Sequence, residues 1–132
     1  MSTPLRLGTA SILAFTFALG GCASSGQRDI SSFGDLKSSN IALATRAQAA
    51  LQANDFATAI DLAERAVAKS PRDAGFRSLL GNAYFAAGRF ASAEAAYKDS
   101  LDLVPQPQAI LKLALVQIAQ GKNAEARALL DS

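Results

Sequence analysis

The sequence predicts an all-α fold, a solenoid of about three helix-turn-helix units, and three observations lead there. First, half of the 132 residues are apolar, yet the excess is mostly alanine, with nine aromatic residues and no tryptophan. Alanine loses no side-chain entropy on entering a helix, and its small side chain lets helices pack closely around a thin core. Second, residues of the same kind recur at one spacing. Asn54-Asp55-Phe56 returns as Gly88-Arg89-Phe90 at an offset of 34, as do Ala59 as Ala93 and Ser70-Pro71 as Val104-Pro105. At an offset of 33, Gly88 returns as Gly121 and Ala93 as Ala126. Third, the recurrences end in turn formers, Gly88 and Gly121 between helices and Pro71 and Pro105 after them. A plain alanine-rich bundle would not repeat several kinds of residue together, whereas a repeat array does.

The length suits one modest domain. Charge is nearly balanced, with 13 Lys and Arg against 11 Asp and Glu. The charges are scattered, and without a basic run to meet phosphates no nucleic-acid partner is expected. Histidine is absent and cysteine occurs once. This composition excludes a histidine-based triad, an internal disulfide and the usual zinc sites. No nucleophile stands beside a base, so no catalytic residue, metal or cofactor is expected. Carboxylates such as Asp61 and Glu64 are read as solvated helix charges.

Residues 1–21 read as a secretory signal. Arg6 supplies the positive charge, Leu7 to Leu19 is uncharged, and Gly20 and Gly21 are the small residues before a cut. The apolar stretch is too short for a membrane span of about 20 residues. Leu19-Gly20-Gly21-Cys22 resembles the bacterial lipobox. That resemblance implies a diacylglycerol thioether on Cys22, cleavage before it, and a membrane anchor of several acyl chains, palmitate among them. Ala23 stands where lipoproteins of the inner membrane often carry Asp, which implies the periplasmic side of the outer membrane. Residues 22–38, rich in Ser and Gly, are expected to form a flexible lipidated tether, reaching on the order of 20 Å.

The helical domain is expected over 39–132, with units at about 40–71, 73–105 and 107–132. The middle unit carries Leu80-Gly81, Tyr84, Gly88, Phe90, Ala93, Tyr97 and Pro105, and strongly resembles the tetratricopeptide repeat. Phe56, Ala59, Ala66 and Pro71 in the first unit, and Leu113, Ala114, Gly121 and Ala126 in the third, match it in part. Arg46, Arg77 and Asn123 depart from it, each where the family has a large apolar or aromatic residue. The resemblance covers about 90 of the 132 residues. It implies a right-handed helical solenoid in which Gly81 and Ala93 allow the paired helices to touch, with Tyr84 and Tyr97 beside them.

The resemblance also implies a protein or peptide ligand in a concave groove lined by the first helix of each unit. Residues at i, i+4 and i+7 share a helix face. Ala44, Gln48 and Leu51, then Ser78, Asn82 and Phe85, then Leu111, Leu115 and Ile118 therefore form the expected binding rows. Asn82 offers both a donor and an acceptor to a peptide backbone. The cationic clamp by which some family members hold acidic carboxyl termini is not read here, because Ala44, Gln48 and Leu79 occupy its positions. The helix carrying Leu111, Leu115 and Ile118 is apolar on its core side too, at Ile110, Leu113 and Ala114. A helix apolar on most sides is buried or binding. Leu129 and Leu130 lack a polar capping helix, so self-association through that end is a further expectation.

Small lipoproteins of this layout are similar to those serving type IV and tight-adherence (Flp) pilus biogenesis. By analogy of fold and anchor the expected function is an adaptor in pilus or secretion-machine assembly. The alternative is a periplasmic chaperone or a regulator of cell-wall enzymes.

Overall fold

The computed structural model describes residues 30–132, so the signal segment 1–21 and Cys22 lie outside the described residues. Six helices follow in order: α1 (Ile30–Gln52), α2 (Phe56–Lys69), α3 (Ala74–Ala86), α4 (Phe90–Leu103), α5 (Pro107–Ala119) and α6 (Asn123–Leu130). They pair as α1–α2, α3–α4 and α5–α6, the three helix-turn-helix units of a tetratricopeptide-type solenoid. Each helix packs against the next, and α1 also packs against α3.

The turn inside each unit is one device used three times. Asn54, Gly88 and Gly121 are the left-handed residues, at φ 58°, 72° and 77°. The amide one residue later donates back five positions, Asp55 to Ala50, Arg89 to Tyr84 and Lys122 to Gln117, at 2.9, 2.8 and 2.8 Å. This pattern satisfies carbonyls that a helix end would leave open, and Gly or Asn adopts it at least cost. Asp55 and Asp73 cap α2 and α3 by accepting from the amides of Thr58 and Phe76. Pro107 opens α5, where its missing amide proton is no loss.

The core is thin and alanine-rich. One cluster gathers Leu43, Ala47, Leu62, Ala63, Ala66 and Leu79. A second joins Ala93 and Tyr97 of α4 to Leu113 and Val116 of α5. Leu129 packs onto this second cluster, so of the terminal pair expected to lie bare only Leu130 is exposed. A β-carbon on Gly81 would come within 2.6 Å of Tyr97 Cε1, so the glycine makes room for the Tyr97 ring between the paired helices. Tyr84 faces the preceding unit, where its hydroxyl donates to Glu64, and the Arg89 guanidinium lies 4.8 Å from its ring centre. Arg77, in place of the family aromatic, donates to the Pro71 carbonyl and to Asp99.

Two further expectations need correction. The tether expected to extend to residue 38 is already helical from Ile30, two turns or more earlier. Gly34 costs about 1 kcal/mol in a helix. Extending a helix nucleated by packing is far easier than starting one, and no proline interrupts the stretch. Glu94 is not a solvated surface charge but is buried. It accepts from Lys98 and Lys122 at 2.7 Å and from Gln120 at 2.8 Å, tying α4 to the α5–α6 turn. These bonds, that of Lys122 foremost, hold its carboxyl down to about 2.

Candidate binding cleft between α3 and α5

While α1 packs against α3, no comparable backbone approach joins α3 to α5. The gap between them is a cleft of about 190 Å³ lined by Asn82, Phe85, Tyr97, Lys112 and Leu115. Phe85 forms one wall, propped by Phe90 with ring centres 5.6 Å apart. Leu115 forms the other. Tyr97 rises from α4 at the base.

Three of the sequence-predicted site residues, Asn82, Phe85 and Leu115, therefore meet in one place. Leu111 and Ile118 lie on the same face of α5 as Leu115, and the three are 56%, 50% and 55% exposed in that order. Half-exposed leucine-sized side chains in a continuous row are left without full packing among the described residues. Ile118 also borders a shallow hollow with Leu130 at the outer side of α6. The row expected on α1 lies outside this cleft. Leu51 and Ala44 pack against the first core cluster, while Gln48 is exposed. Ser78 is half-buried and also outside the cleft.

Sequence reasoning missed Ile41 and Lys112. Ile41 is exposed one turn before Ala44 and continues the face on α1. Its signal was present, since the face rule applied at i−3 reaches it. Lys112 carries no local signal, because its neighbours in sequence do not set it apart from other helix cations. It enters the cleft from α5 and donates to Asn82 Oδ1 at 2.6 Å, and Tyr97 donates its hydroxyl to the same oxygen at 2.7 Å. An ammonium can only donate, so this contact fixes which end of the Asn82 amide faces it. Both lone pairs of the oxygen are then taken, and Asn82 offers a ligand its NH₂ alone. Burial pushes the Lys112 ammonium below its usual pKa, and pushes the Tyr97 phenol well above its own.

Family comparison agrees with this architecture. A tetratricopeptide-repeat model matches residues 45–109, and a second model of the same repeat matches 108–132. The chain belongs to the tetratricopeptide repeat family. No curated protein matches it. A tetratricopeptide array serves as a scaffold for binding other proteins, and members of the family are in general not enzymes. The cleft fits the binding role, with the apolar side chains of Phe85 and Leu115 standing about the polar groups of Asn82, Tyr97 and Lys112.

Proposed function

We propose that the chain is an adaptor anchored to the outer membrane through lipid on Cys22, which takes a peptide segment of a partner into the cleft between α3 and α5. The observation that carries the binding part is the row Leu111, Leu115 and Ile118, half exposed beside the cleft walls of Phe85 and Leu115. Completing the burial of each side chain gains about 1 kcal/mol, half the value for full transfer from water. Three or four such residues supply a useful share of a micromolar affinity. The anchor rests on the lipobox resemblance around Cys22. The role in assembling a pilus or secretion machine rests on analogy with small lipoproteins of similar layout.

A photocrosslinking side chain placed at Leu115 in intact cells tests the binding surface, with Lys98 on α4 as the control site. A discrete adduct from position 115 and none from 98 is expected. Adducts from 98 alone would move the binding surface off the cleft. Leu115→Ser should abolish a partner adduct formed from position 85 while leaving the melting temperature within a few degrees, because the side chain is more than half exposed.

A further inference from the structure

The first helix runs on past its partner. α2 ends beside Ser39 and Asn40, where Lys69 donates to the Ser39 hydroxyl at 3.2 Å and the Asn40 amide to Ser70 at 2.7 Å. α1 begins well before that level, at Ile30, so its first part projects beyond α2 by about 13 Å. Leu36 lies on this projection, a heptad before Leu43 and on the same helix face. Leu43 is buried in the first core cluster, but Leu36 is 58% exposed, because α2 has ended before reaching it. Between the projection and the α2–α3 turn is a hollow of about 220 Å³, where Lys37, Lys69, Asp73 and Phe76 join Leu36. Asp73, the one carboxylate lining it, already caps α3 through the Phe76 amide. Among the described residues neither lysine has a carboxylate within ion-pair distance.

We infer that this ledge rests on a phospholipid surface, with Leu36 in the interface and Lys37 and Lys69 against lipid phosphates. The inference rests on the lipid anchor at Cys22, and adds which edge of the solenoid faces the bilayer. The chain from Cys22 to Ile30 spans at most about 28 Å even fully extended, so the anchor keeps the ledge close to the membrane. One leucine and two lysines make a weak contact for a partner free in solution. They suffice for a surface that the anchor already holds near, since the second contact is then intramolecular. Among the described residues no helix is long and apolar enough to cross a membrane, so the ledge lies on the surface and does not span it.

The test uses the full-length chain, purified with its lipid and placed in vesicles of phosphatidylethanolamine and phosphatidylglycerol. A photocrosslinking side chain replaces Leu36 or, as the control, Gln52, which is exposed on the same helix about 24 Å away. Mass spectrometry of the adduct then identifies what covers each position. An adduct of phospholipid mass is expected from position 36, at several times the yield from position 52. Lys37→Gln together with Lys69→Gln should lower the yield at 36 by about fivefold or more, at roughly a fivefold contribution per lysine near an anionic surface. High salt should act in the same direction, and the chain should stay on the vesicles throughout. Equal yields at 36 and 52, or a yield that the lysine substitutions leave unchanged, overturn the inference and leave the anchor standing. An adduct from 36 to a second copy, or in isolated envelopes to another protein in place of lipid, overturns it in favour of that occupant. A chain that fails to float with the vesicles overturns the anchor and the inference together.

Discussion

Gly81→Ala and Gly34→Ala are the same substitution in two helices, and the structure gives them opposite signs. A methyl group on Gly34 meets nothing within 4 Å. Replacing an unencumbered helix glycine by alanine stabilises by about 0.5–1 kcal/mol, through lost unfolded-state entropy. A methyl group on Gly81 would sit 2.6, 2.8 and 2.9 Å from Cε1, Cδ1 and Cζ of Tyr97. The ring cannot simply swing aside. It is 2% exposed, and its hydroxyl is held by Asn82. Overpacking of this kind costs about 1–3 kcal/mol, which outweighs the propensity gain and leaves a net loss of about 1–2 kcal/mol. For about 100 structured residues, that lowers the melting temperature by roughly 5–15 °C. Thermal unfolding followed by circular dichroism at 222 nm reads both variants on one instrument. Gly81→Ala should melt below the wild type and Gly34→Ala slightly above it. A Gly81→Ala variant in the background of Tyr97→Leu should lose most of its penalty, since the clash partner is gone. If Gly81→Ala melts at or above the wild-type temperature, Tyr97 is not seated against Gly81 and the α3–α4 packing described above is wrong.

Glu94 makes stability depend on acid. Its folded-state carboxyl sits at about 2 against an ordinary 4.5, so its contribution is fully present above pH 4.5 and is lost as the pH falls from there through 2. Glu94→Gln should cost about 1–2 kcal/mol at pH 7, discounted for its exposed lysine partners, and should flatten the stability curve over that acid window. Gln117 is buried with its Oε1 unpartnered, so Gln117→Leu should raise the melting temperature by relieving roughly 1 kcal/mol of desolvation. A fall would show that the amide has a hydrogen-bonded water. Cys22→Ser should abolish metabolic labelling by an acyl-chain analogue, and label persisting on the variant would end the lipoprotein reading.

The repeat frame was legible because its turns are written in residues with few alternatives. A left-handed residue must be Gly or Asn at low cost, and Asn54, Gly88 and Gly121 announce three turns at one spacing. Exposed apolar residues on α5 were legible for a similar reason, since a helix has only one core face and Leu111, Leu115 and Ile118 lie off it. What could not be read was pairing across the fold. Nothing in the local sequence distinguishes Glu94, buried among three donors, from Glu64 or Asp61 at the surface. Nor does it separate Lys112 in the cleft from Lys98 outside it. Those fates depend on where α3, α5 and the α5–α6 turn arrive in space. The Asn82 amide shows the same limit, because its acceptor is consumed by residues 15 and 30 positions away. The start of α1 was missed because Ser- and Gly-rich composition was weighed against a helix that packing further along had already nucleated.

Packing mainly between consecutive helices, with α1–α3 added and the Lys112–Asn82 bond joining α5 to α3, has a consequence for time as well as for shape. Most contacts join residues close in sequence, so little chain entropy is lost before contacts repay it, and such topologies reach the native state quickly. The same arrangement lets the array open one boundary at a time instead of all at once. The boundary before α5 is held by the Tyr97–Leu113–Val116 cluster and by Glu94, while α6 buries only Ala126 fully. Amide protons of α5 and α6 should therefore exchange through partial openings that leave α1 to α3 intact. A ligand that touches both Phe85 and Leu115 bridges that boundary, and would slow exchange in helices it never contacts.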